Sequence, residues 1–138
     1  MLSTIEKVLL LQDVDIFLDT ETENLAKIAS LAREVSFDEG VTIFEEGGSG
    51  DALYIVVEGA VSMRKGAQEI LLVKDKEPFG WAGLLGERSR PLTAVALRHT
   101  TTLKIEREDL FDLLADHFDI VRGILKRLTR MLTQQLER

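Results

Sequence analysis

The hydrophobic period of this chain changes twice, which leaves few architectures open to it. From Ser3 to about Ala32 apolar residues recur at helical spacing, with Ile5, Val8 and Leu9 on one face and Leu25, Ile28, Ala29 and Ala32 on another. Thr22, flanked by Glu21 and Glu23, is the expected cap of the second helix. The intervening "DVDIFLDT" reads as a connection that turns Ile16, Phe17 and Leu18 inward. From Val35 to Ile105 the period drops to two. The runs "VSF", "VTIFEE", "ALYIVVEGAVSMRK", "EILLVK", "LTAVALR" and "TTTLKIE" are short, strand-like and rich in Val, Ile, Leu and Thr. They are punctuated by "DEG", "GGSGD", "EG", "KGAQ" and "KEPFG", all with turn chemistry. From Glu108 onward the helical period returns. Leu110, Leu113, Leu114, Phe118, Val121, Leu125, Leu128 and Leu132 form one stripe, in two helices broken near "ADHFD" and weakened at Gly123. Helices, an antiparallel sandwich or barrel, then helices is an α+β plan.

The 138 residues suffice for one domain with its own core. It is expected to span 1–138, as N-terminal helices (1–34), a β-roll (35–105) and C-terminal helices (106–138). With no cysteine, the chain has no disulfide, thiol nucleophile or thiolate metal site. No apolar run approaches the roughly 20 residues of a membrane span. Nor does the N-terminus have a signal peptide's basic-then-apolar layout. The expectation is a cytoplasmic protein without direct membrane insertion. A net charge of −7 argues against nucleic acid, whose phosphates demand a surplus of Lys and Arg. The last stretch is nevertheless basic, with Arg122, Lys126, Arg127, Arg130 and Arg138 against Glu137. A solvated helix face with cations near its C-terminus accounts for it.

Two motifs carry a resemblance that covers essentially the whole chain. "EEGGSGDALYIVVEGAV" supplies Glu46, Gly47, Gly50, Asp51, Tyr54, Val56 and Gly59 in the order used by the cyclic nucleotide-binding domain family. That is the fold of bacterial catabolite activator proteins and kinase regulatory subunits. "FGWAGLLGERSRP" resembles the family's phosphate-binding cassette, opened by Phe79 and Gly80 and closed by Arg90, with "LKIEREDL" following at the expected distance. The resemblance implies an antiparallel β-roll (a jelly-roll-like double-stranded β-helix) flanked by N-terminal and C-terminal helices. It also implies Arg90 as the phosphate residue, with Gly80, Ala82 and Gly83 offering backbone contacts. Apart from the resemblance, Gly47, Gly48, Gly50 and Gly59 stand where turns need positive φ, and Asp51 reads as a turn-capping side chain.

The cassette departs from the family pattern twice. Where the family has a glutamate that accepts the ribose 2′-hydroxyl, this chain has Trp81, which offers one N–H and no acceptor. A buried hydroxyl left without its partner costs about 1–3 kcal/mol. After Arg90 comes Pro91, which lacks the backbone N–H that serves the phosphate. Trp81 fills the cavity, packs on a partner or stacks on a planar ligand. Arg90 is either an anion ligand or a surface arginine paired with Glu87.

His99 and His117 lie on different elements with no nucleophile or carboxylate set beside them, so no residues fill catalytic or metal-binding roles. The reading is a non-enzyme without a cofactor: a regulatory module that has weak or lost cyclic nucleotide binding and acts through protein contacts. The partner is another protein, the rest of a multidomain parent chain, or a second copy paired through Val121, Leu125, Leu128 and Leu132 unless that stripe covers the roll. The alternative is a working sensor of cyclic AMP, cyclic GMP or another small anion, which moves its C-terminal helices on binding.

Overall fold

A computed structural model describes residues 1–81 and 89–136. The chain divides into a helical unit, residues 1–31 with 109–138, and a β unit, residues 32–108. No helix among the described residues is long and apolar enough to cross a membrane.

In the helical unit, α1 (Thr4–Gln12) begins at a capping box that the apolar pattern does not reveal. The Ser3 hydroxyl accepts from the Glu6 amide, and the Glu6 carboxylate accepts from the Ser3 amide, both at 3.1 Å. A 3₁₀ turn (Asp15–Phe17) leads to α2 (Thr22–Leu31). Thr22 is the first helical residue and not the cap. The Glu21 carbonyl already receives the Asn24 and Leu25 amides, so the cap position falls one residue earlier. α3 (Arg107–Asp116) and α4 (Phe118–Leu136) are broken at His117, inside the expected "ADHFD".

Leu11, Val14, Ile16, Phe17, Leu25, Ile28, Leu110 and Ile120 are buried. Three expectations reverse. Ile5 and Leu9 are exposed, because α1 turns Leu11 inward instead. Leu18 is exposed too. On α4 the stripe of Phe118, Leu125, Leu128 and Leu132 faces solvent, and the inward residues are Ile120 and Gly123. Gly123 sits where a Cβ would come within 2.8 Å of the Asp19 carbonyl, so it lets α4 approach the chain that precedes α2.

The β unit holds two four-stranded antiparallel sheets. Their strands are β1 (Arg33–Phe37), β2 (Thr42–Phe44), β3 (Ala52–Glu58), β4 (Val61–Lys65), β5 (Gln68–Val73), β6 (Pro78–Phe79), β7 (Thr93–Ala96) and β8 (Thr100–Glu106). The orders are β1-β8-β3-β6 and β2-β7-β4-β5. With its helices this is the expected α+β β-roll. The strands start two residues before Val35, and "KEPFG" is not only a turn, since Pro78 and Phe79 pair with Ile55 and Tyr54. Inward residues of both sheets, among them Tyr54, Val56, Val61, Met63, Phe79 and Ala94, form one core. Of the four turn glycines, Gly47 and Gly59 take positive φ, while Gly48 and Gly50 do not.

Candidate functional site

Strand pairing pins both ends of the "FGWAGLLGERSRP" segment. At its opening, β6 lies against β3, so Gly80 emerges beside Ala52. At its close, Ser89 bridges Ser49. The Arg90 amide donates to the Gly48 carbonyl at 2.7 Å, and the Arg90 carbonyl accepts from the Gly47 amide at 2.8 Å. The glycine-rich turn and the arginine, 40 residues apart in sequence, thus form one clasped structure.

The Arg90 side chain turns inward and is only 2% exposed. Its Nη1 donates to the Gly80 carbonyl at 2.9 Å and its Nη2 to the Ala52 carbonyl at 2.8 Å. The guanidinium carbon lies over the Phe44 ring, 4.0 Å from its centroid. Nε is buried with no hydrogen-bond partner among the described residues. Among the described residues no carboxylate forms an ion pair with it. Burial pushes the guanidinium below the ordinary arginine value, while Tyr54 and Asp51 act in the opposite direction. It stays a cation at neutral pH. Gly80, at φ +96°, is the residue that permits this: a Cβ there would meet Arg90 Nη1 at 2.8 Å.

Below the arginine stand stacked aromatics. Tyr54 and Phe79 are nearly parallel at 12°, centroids 5.1 Å apart, and Phe44 lies 6.0 Å from Phe79. Burial raises the Tyr54 phenol above its usual value.

Of the residues expected in the site, Gly80 and Arg90 come together directly. Trp81 follows Gly80 and is half-buried, and Pro91 is exposed. Ala82 and Gly83 lie outside the described residues, as does Glu87. A surface arginine is excluded by the burial of Arg90. Asp51 is exposed, and it is its carbonyl, not its side chain, that receives a bond, from the Arg107 amide. Sequence reasoning missed Phe44 and the Ala52 carbonyl. The inward register of Phe44 in "TIF" was the one signal for the first, and a backbone acceptor leaves none.

The histidines stand elsewhere. His99 Nδ1 lies 3.1 Å from Asp38 Oδ1, both exposed, and His117 joins α3 to α4, its carbonyl accepting from Ile120. Among the described residues, no group of three or more His, Asp or Glu could hold a metal ion.

Known proteins resemble this chain in sequence and in fold. The chain is 26% identical over 122 residues to a CRP-like cAMP-activated global transcriptional regulator of Mycobacterium tuberculosis, covering 85% of this chain and 54% of that protein. It is 37% identical over 103 residues to the cyclic AMP receptor protein of Thermus thermophilus, covering 71% of this chain and 48% of that one. The chain thus spans about half the length of these two relatives. The N-terminal domain of a transcriptional regulator from Streptomyces coelicolor A3(2) superposes with a TM-score of 0.81 at 26% identity, covering 91% of this chain and 94% of that domain. The model of the family described as "Cyclic nucleotide-binding domain" matches residues 34–117, more than half of the sequence. By fold and by that match, the chain belongs to the cyclic nucleotide-binding domain family.

Proposed function

We propose that this chain is a non-enzymatic regulatory module of its family that has lost useful affinity for cyclic AMP and cyclic GMP and acts through protein contacts. The supporting observation is the inward setting of Arg90. Its two Nη groups are engaged by the carbonyls of Gly80 and Ala52, and its guanidinium carbon lies over Phe44. An anion that recruits it must compete with these contacts. Trp81 and Pro91 add two missing partners, the ribose acceptor and a phosphate-side N–H. Because the relatives are about twice as long, the module is proposed to work within a larger chain or against a protein partner. A second copy docked on the exposed α4 stripe is the contact we favour.

One observation favours the second reading, a working anion sensor that repositions its C-terminal helices. Arg90 Nε is a buried donor without a partner among the described residues, which a phosphate oxygen would satisfy. Calorimetric titration with cyclic AMP and cyclic GMP separates the two. The expected result is no saturable heat. Micromolar binding that disappears in Arg90→Ala overturns the proposal in favour of the sensor, and micromolar binding that survives Arg90→Ala overturns it with a site elsewhere.

A further inference from the structure

In the helical unit α4 presents its faces in an unusual sense. Ile120, Gly123, Arg127 and Arg130 follow at spacings that put them on one helix face. That face meets the chain between α1 and α2. Its first half is held by contact: Ile120 is fully buried, and Gly123 leaves no room for a Cβ against the Asp19 carbonyl. Its second half is held by charge. Arg127 Nε donates to Asp15 Oδ1 at 2.8 Å, and its Nη2 donates to the same oxygen. Arg130 Nη1 donates to both carboxylate oxygens of Asp19, at 3.0 and 3.2 Å.

Beyond Gly123 no described residue of α4 is buried. Of its large apolar side chains there, Leu125, Leu128, Leu132 and Leu136 are exposed, and Ile124 and Met131 are half-buried. Among the described residues, no fully buried apolar side chain anchors this half of the helix. Each ion pair has one sheltered end: the Arg127 and Asp19 side chains are each 16% exposed, their partners each 52%. Such pairs are worth more than fully exposed ones yet remain within reach of salt.

We propose that the pairs Asp15–Arg127 and Asp19–Arg130 are an electrostatic clasp that fixes the C-terminal half of α4. Ionic strength sets how often that half is released. The clasp makes the helix end a charge-responsive element: salt, or neutralisation of either aspartate, frees it while the contact at Ile120 and Gly123 holds the rest. It does not depend on whether the cassette binds a nucleotide.

Amide hydrogen exchange on the intact chain tests this, with α2 amides as internal reference. Raising sodium chloride from about 50 to about 500 mM shortens the Debye length several-fold and is expected to speed exchange over residues 127–136 about 3- to 10-fold. Amides at 120–123 should not change. The Asp15→Asn/Asp19→Asn variant should exchange fast at both salt concentrations. Swapping Asp15→Arg with Arg127→Asp should restore slow exchange. Salt-independent exchange over residues 127–136 in the unaltered chain overturns the clasp, whatever the variants do. So does an Asn/Asn variant that is folded and as protected as the parent.

Discussion

At the scale of single residues, the site is organised by a cation that bonds to its own backbone. Arg90 donates to two backbone carbonyls at a buried strand end, those of Gly80 and Ala52, and Gly80 makes the space for it. The two residues therefore act as a unit. Arg90→Met keeps the apolar stem but leaves the Gly80 and Ala52 carbonyls without their donor, at about 1–3 kcal/mol. Gly80→Ala places a methyl against the guanidinium and forces an alanine to φ +96°, at a similar cost of about 2 kcal/mol. Because both changes break one contact, the double variant should lose less than the sum by about 1 kcal/mol, read from urea midpoints. Additive losses would mean that the two residues act independently and not as a unit. The sequence announced that Gly80 and Arg90 matter, but as ligand contacts. It had no means of showing that Ala52, 38 positions before Arg90, lends its carbonyl, since every residue carries that acceptor.

At the scale of elements, periodicity found the helices and most strands but not which way each helix is turned. A stripe of leucines at spacings of 3 and 4 looks the same whether it faces a core or water. On α4 non-local polar partners accompany the buried contact of Ile120 and Gly123. Besides the two ion pairs, the buried Asn24 of α2 donates from Nδ2 to Asp119 Oδ2 at 2.7 Å, and Lys27 donates to Asn24 Oδ1. The Asn24 hydrogen bond, with smaller help from the helix's own amides, lowers the Asp119 carboxyl below the usual value of 3.8. The folded value lies below the unfolded one, so the carboxylate's contribution is fully present above the unfolded value. It is lost as pH falls through the folded one. An NMR titration should find the Asp119 carboxyl below the usual aspartate value, and Asn24→Ala should raise it back toward that value. With that variant, the acid side of the stability profile below about pH 4 should become less steep. An unmoved Asp119 in Asn24→Ala would make the hydrogen bond incidental. The 3₁₀ turn and the α1 cap were also missed, and for a similar reason. Ser3 and Glu6 form a capping box only in concert, at a spacing that hydrophobic periodicity ignores.

For the whole molecule, the strongest legible signal was the order of motifs: a glycine turn, then a cassette ending in arginine, between helical segments. It held because the motifs meet physically, Gly47 and Gly48 bonding to Arg90. What lay beyond reach was the apolar surface left outside. Phe118, Leu125 and Leu132 are 68%, 54% and 65% exposed, with Leu128 between them at heptad spacing. Burying these side chains between two copies contributes on the order of 8 kcal/mol of apolar transfer. The cost of bringing two molecules together is about 4–15 kcal/mol, so the balance is close and association should depend on concentration. A net charge of −7 on each copy opposes it at low salt, while Arg122 and Lys126 add local positive charge along the same helix. Sedimentation velocity is expected to show a monomer at low micromolar concentration shifting to a dimer as concentration rises. Leu125→Glu with Leu132→Glu places two charges on the seam of each copy and should keep the chain monomeric throughout, with its helix content unchanged. A parent chain that stays monomeric at high concentration, or a variant that dimerises as before, removes this helix as the contact and leaves the module to act through another face.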